Sequence, residues 1–109
     1  MPTNLPVLPS LRMDLPAPNV DEPLDVAALL ADRVRMGILA LLRGGPHCVC
    51  EMAAALEVRE NNLSNHLARL REAGLVRASR AGADQRRAYY ERDEVAVADA
   101  IETLVGAIR

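Results

Sequence analysis

From Leu24 onward the apolar positions follow a helical spacing. Val26, Leu29, Leu30, Val34, Ile38, Leu41 and Leu42 recur three and four apart, which predicts one helix, or two with a bend near Asp32. Gly44 and Gly45 close that segment, and Pro46 is placed to open the next helix, since its missing N–H falls where a first turn has no use for one. A short helix is expected from about Cys48 to Leu56. After the turn at residues 57–60, the stretch NNLSNHLARLREAGLV carries Leu63, Leu67 and Leu70 as a single stripe, with Gly74 as its stop. Asn61, Asn62, Ser64, Asn65, Arg69 and Arg71 occupy the other faces. Residues 75–80 and 85–91 read as two short strands around a Gly-containing turn. The last segment places Val97, Ile101, Leu104, Val105 and Ile108 on one face of a terminal helix.

Two short helices joined by a tight turn, the second with an amide-rich outer face, form a helix-turn-helix, and a hairpin directly after it is a wing. The expected fold is therefore mainly α with a small β-hairpin, a winged helix-turn-helix. Asn can bond the N6 and N7 edge of adenine, Ser can reach bases or phosphate, and Arg suits phosphate or guanine. Arg80, Arg86 and Arg87 near the hairpin tip would lie along the DNA backbone or in the minor groove. The terminal stripe, with Leu29 and Leu30, is assigned to a homodimer interface; the alternative is ordinary packing within one chain.

Composition narrows this picture. The 109 residues are half apolar, but only Tyr89 and Tyr90 are aromatic, so Leu, Val, Ile, Ala and Met must build a modest core, which suits packed helices. The net charge of −2 hides an asymmetry: residues 59–92 carry +4 and residues 1–32 carry −4. A basic segment within an acidic chain is what a localised polyanion-binding face looks like, or simply a solvated arginine-rich surface. Six of the seven prolines fall in the first 23 residues, which show no sustained period. Residues 1–23 are expected to form an extended arm, ordered only where it packs on a partner, and residues 24–109 the DNA-binding and dimerisation domain. No apolar run approaches the roughly 20 residues that cross a bilayer, and no signal peptide is evident. A cytoplasmic protein without a membrane partner is expected. No nucleophile triad, phosphate-cradling loop or paired-carboxylate pocket is visible, which argues against an enzyme. In a reducing compartment the only two cysteines, Cys48 and Cys50, are better read as ligands or a redox pair than as a structural disulfide.

Taken in order, LADRVRMGILALL, CVCEMAAAL, NNLSNHLARLREAGLV and RRAYYE resemble the ArsR/SmtB family of small winged-helix repressors. The resemblance spans about residues 24–109. It implies a homodimer that binds double-stranded operator DNA and releases it when a metal or metalloid binds. It implies that Cys48 and Cys50 are ligands, and that Asn62, Ser64, Asn65 and His66 lie on the recognition helix. The contact set expected on that helix is Arg59, Asn61, Asn62, Ser64, Asn65, His66 and Arg69, with Arg80, Arg86 and Arg87 on the wing. The chain departs from the family pattern in several places. Ala53 stands where a third cysteine is best known, the arm supplies no cysteine, and both histidines, His47 and His66, precede the last helix, where zinc-sensing relatives keep ligands. Arg59 stands where a Ser or Thr usually caps the recognition helix.

On an ideal helix, positions two apart point about 200° from each other, so two helical cysteines could share one ion only if the first turn unwound. A thiol near a helix N-terminus is also expected to ionise more readily. Thiolates select soft centres, and arsenite or antimonite needs few sulfurs, with a third position left for water, a small thiol or another protein group. Cu(I) could accept two sulfurs, whereas Zn(II) and Cd(II) ask for about four ligands. His47, next to the pair, is a candidate third ligand. Two further readings stay open: a thiol redox sensor using the same pair, and a DNA-binding module without an effector.

Overall fold

The computed structural model describes residues 13–79 and 87–109. Residues 1–12, and with them most of the expected arm, lie outside the described residues, as do the wing tip and its Arg80 and Arg86.

The first apolar segment forms two helices. Helix α1, Asp21–Leu30, begins three residues before the spacing pattern does. The Asn19 carboxamide oxygen accepts its first N–H at 3.0 Å, and Pro23 sits in the first turn, where a missing N–H costs nothing. Helix α2 spans Arg33–Leu42. Asp32 separates the two: its backbone is extended, and Oδ1 accepts the N–H groups of Val34 at 2.9 Å and Arg35 at 3.0 Å. An aspartate at that position satisfies donors that the first turn cannot satisfy itself.

Pro46 does not open a helix. It precedes a two-residue strand β1, His47–Cys48, and only then does helix α3, Val49–Leu56, begin, with Cys48 as its N-cap. A two-residue strand is too short to leave any periodic trace in sequence. Helix α3 ends at Glu57, in the left-handed region at φ 57°, and Val58 N–H returns to Ala53 C=O at 3.0 Å. Helix α4, Glu60–Glu72, follows at once. Its end is a Schellman motif: Gly74 adopts φ +79°, Leu75 N–H bonds Leu70 C=O at 3.0 Å, and Gly74 N–H bonds Arg71 C=O at 2.9 Å.

Strands β2, Val76–Ser79, and β3, Tyr89–Arg92, form the wing, and helix α5, Glu94–Gly106, completes the described chain. Among the described residues the sheet has three strands rather than the two of a bare hairpin, all antiparallel in the order β1-β3-β2. Val76 pairs with Arg92 and Ser79 with Tyr89, while on the other edge of β3 Cys48 also pairs with Tyr89 and His47 with Tyr90. The strand that carries Cys48 is thereby tied to the wing.

The core forms where the apolar stripes meet. Ile38, Leu39 and Leu42 of α2, Met52 and Ala53 of α3, and Leu63, Leu67 and Leu70 of α4 are buried with Leu75, Val76 and Val97. One arginine is buried among them. Arg35 donates through Nε to Leu29 C=O, through one terminal nitrogen to Ala28 C=O at 3.2 Å, and through the other to His66 Nδ1 at 2.9 Å. It thus ties the end of α1 and the middle of α4 to the start of α2.

Candidate metalloid site and nucleic-acid interface

Cys48 is 2% exposed and Cys50 half-buried. Their sulfurs lie 2.7 Å apart. The expectation that α3 must unwind to bring them together is overturned. The 200° separation applies only when both residues are helical, and Cys48, with φ −91° and ψ 166°, stands in extended conformation just before the first turn. Its side chain therefore converges on that of Cys50 while α3 stays intact. The cap is fixed from two directions: Cys48 pairs across the sheet with Tyr89, and its N–H donates to Glu51 Oε1 at 3.0 Å. Glu51 returns its own N–H toward the Cys48 sulfur, giving a capping box in which a thiol replaces the usual hydroxyl.

The electrostatics also differ from expectation for Cys48. Burial pushes its thiol up, and the neighbouring Cys50 thiol adds to this, outweighing the Glu51 N–H that favours the thiolate. Glu51 is held below the usual carboxylate range, chiefly by the Cys48 N–H.

A guanidinium completes the surroundings. Arg87, at the foot of the wing, donates to Cys50 Sγ at 3.2 Å. The sulfurs open into a cleft of about 370 Å³ lined by Cys48, Val49, Cys50, Glu60, Arg87 and Ala88. Three elements meet there: the start of α3, the start of α4 and the base of the wing. His47 does not join the sulfurs; its Nδ1 lies 3.7 Å from Glu51 Oε1. Among the described residues, no group of three or more His, Cys, Asp or Glu is placed to hold a metal ion. Glu51 and Glu60 were not singled out from the sequence, and Arg87 was singled out only as a DNA contact. The Glu three residues after Cys48 was the available signal for Glu51, as a capping-box spacing.

On α4, Asn61, Asn62, Ser64, Asn65 and Arg69 are exposed along one side while Leu63, Leu67 and Leu70 face the core, and Arg59 is exposed just before the helix. His66 is the exception. It is half-buried and turned inward, accepting from Arg35 and standing 3.6 Å from Asp32. Because arginine only donates, Nδ1 is the acceptor and the ring proton belongs on Nε2. Wing arginines differ in commitment: Arg77 is paired with Glu91 at 2.9 Å and Asp93 at 3.0 Å.

The stripe expected at a dimer interface divides. Val97 is buried in the chain's own core, and Leu29 and Leu30 pack partly against that core. Leu104 and Val105 are half-buried, while Ile101 and Ile108 are exposed. Among the described residues no helix is long and apolar enough to cross a membrane.

A helix-turn-helix whose second helix presents amides and arginines, followed by a β-wing on the same core, defines a winged helix-turn-helix protein. Residues 32–78 match the family described as bacterial regulatory protein, arsR family. The arsenical resistance operon repressor of Escherichia coli is 44% identical over 55 residues, 50% of this chain and 47% of the relative. The arsenic resistance transcriptional regulator ArsR1 of Pseudomonas putida is 49% identical over 55 residues, 49% of this chain and 42% of the relative. The chain thus spans about half the length of these curated relatives. Among solved structures, the homodimeric winged helix-turn-helix DNA-binding domain of a possible ArsR-family transcriptional regulator from Mycobacterium bovis superimposes with a TM-score of 0.61 at 30% identity, covering 81% of this chain and 80% of that one. The chain belongs to the ArsR family.

Proposed function

We propose that this protein is a cytoplasmic, homodimeric transcriptional repressor that binds a roughly palindromic operator and releases it when arsenite, or the chemically similar antimonite, binds Cys48 and Cys50. The observation that carries the reading is the convergence of the two sulfurs, 2.7 Å apart, on a cleft between α3, α4 and the wing. Two thiols satisfy two of the three valences of a trivalent metalloid, while Zn(II) or Cd(II) asks for about four ligands. The names of the relatives from E. coli and P. putida point to the same class of effector.

Asn61, Asn62, Ser64 and Asn65 are the proposed base-edge contacts. Arg59 and Arg69, with the wing arginines Arg80, Arg86 and Arg87, are the proposed phosphate contacts. His66 acts from behind the helix, through Arg35, rather than on DNA. The switch then needs no unwinding of α3. An ion filling the cleft changes the spacing between the recognition helix and the wing, and the bound form fits DNA less well. A coupling of about 1–3 kcal/mol corresponds to roughly 5- to 150-fold in operator affinity. The activity is binding alone, with no catalytic step.

The test is fluorescence anisotropy of the reduced protein on DNA from its own promoter, at fixed salt, titrated separately with arsenite, antimonite, Cd(II), Zn(II) and Cu(I). Arsenite or antimonite is expected to release the DNA at low concentration. Cys48→Ser and Cys50→Ser are expected to bind DNA and ignore the metalloid, and normal release from the double variant would remove the site. A second reading is favoured by the same short sulfur separation: peroxide oxidising the pair to a disulfide, with its two oxygens leaving as water. Release by peroxide but by no ion would select it.

A further inference from the structure

The dithiol reading leaves one valence of the metalloid unassigned, and the cleft suggests what fills it. When As(OH)₃ meets the two thiols, two As–O bonds break and two As–S bonds form. The thiol protons leave with the displaced hydroxides as two waters, and arsenic remains trivalent, so no oxidant or reductant is needed. One hydroxyl stays on the arsenic. No third thiol is available, because Cys48 and Cys50 are the only cysteines in the chain. His47 is turned to Glu51.

What the cleft does hold beside the sulfurs is a guanidinium. Arg87 already donates to Cys50 Sγ at 3.2 Å, and Glu60 lines the same cleft from the first turn of α4. We infer that Arg87 is a specificity-determining residue of this site, donating to the hydroxyl that a dithiol-bound inorganic metalloid retains and thereby favouring it over organoarsenicals whose third substituent is carbon. This rests on the dithiol reading of the site.

The physical argument concerns acceptor strength. A free sulfur beside Arg87 is a usable acceptor, but once its lone pair is engaged by arsenic it is a poor one. The better acceptor within reach of the same donors is then the hydroxyl oxygen. Guanidinium suits the role because its five N–H donors do not depend on pH. Glu60, a carboxylate, supplies an acceptor for the hydroxyl proton within the same cleft. An aryl or alkyl group in that position offers the guanidinium no acceptor on the arsenic.

The experiment is direct calorimetric titration of the reduced full chain, without DNA, using arsenite and, separately, phenylarsine oxide, whose third arsenic substituent is a phenyl carbon. Arg87→Met is expected to weaken arsenite binding about tenfold, the order of one charge-assisted hydrogen bond at a partly solvated site, and to leave phenylarsine oxide binding within about twofold. Arg87→Lys should fall between Met and wild type for arsenite. Equal losses for both ligands would mean that Arg87 acts on the thiols themselves and would overturn the inference, as would no loss for either. If the wild-type chain binds neither compound in a Cys48- and Cys50-dependent way, the dithiol reading fails, and the inference with it. Circular dichroism confirms folding of each variant, in which the exposed Arg87 is replaced.

Discussion

Asp32 shows how much can rest on one side chain. Its carboxylate caps α2 through two backbone N–H groups, stands 3.6 Å from His66 and 3.9 Å from the Arg35 guanidinium. The Arg35 N–H above all holds its pKa below the usual value of about 3.9. A depressed carboxyl pKa favours the folded state wherever the group is ionised in both states. The contribution is complete above about pH 4 and disappears as pH falls through the folded value. Asp32→Asn keeps a capping oxygen but no charge. Chemical denaturation against pH is therefore expected to show wild type more stable than Asp32→Asn at neutral pH, with the difference vanishing in acid. A difference that persists unchanged at low pH would assign the effect to shape rather than charge. Arg35 belongs to the same cluster. A buried arginine is tolerable there because two carbonyls and an imidazole nitrogen receive its donors, and those partners come from residues 28, 29 and 66, which no local pattern connects to position 35.

Among the elements, α4 decides most. Its leucine stripe anchors it, its polar side is presented outward, and its length is set by the stop at Gly74. The stop matters for function because Leu75, the next residue, must turn into the core before β2 starts the wing. No side chain crowds Gly74, so the requirement for glycine is conformational. Gly74→Ala is expected to cost about 1 kcal/mol for the left-handed backbone. For a domain of this size that lowers the thermal midpoint by roughly 4–8 °C, as differential scanning calorimetry would show. An unchanged midpoint would mean that the turn relaxes without its positive φ. Element α3 teaches a different lesson. Placing its start at Cys48 rather than Val49 changes the predicted chemistry, because one residue decides whether two sulfurs diverge on a helix or converge across its cap.

At the level of the whole molecule, the question is what the outer faces of α1 and α5 meet. These helices pack on each other within the chain, yet Leu24, Ile101 and Ile108 remain exposed at 59%, 50% and 88%. Apolar exposure of that kind on adjoining helices is what the proposed homodimer would bury. Ile101 is half exposed, and a lysine there can keep its stem on the apolar surface while its ammonium reaches water, so the fold should survive Ile101→Lys. In sedimentation equilibrium the substitution is expected to shift the protein from dimer toward monomer, and to weaken operator binding as half-site pairing is lost. A dimer unaffected by the substitution would place the interface elsewhere.

The sequence by itself determined the helix-turn-helix, the wing, the apolar stripes of α2 and α4 and the pairing of two cysteines as the chemistry to explain, while it left one helix or two around Asp32 open. Each feature so determined is written in local spacing or in a single residue type, and local spacing survives without knowledge of the fold. Only the tertiary structure decided that Cys48 caps α3 from an extended strand, since that strand exists because β3 lies beside it. Only the tertiary structure turned His66 inward to Arg35, buried Val97 in the chain's own core and brought Arg87 to Cys50 across 37 residues. Those outcomes depend on which elements pack together, and residues far apart in sequence meet only after the stripes have been buried against one another.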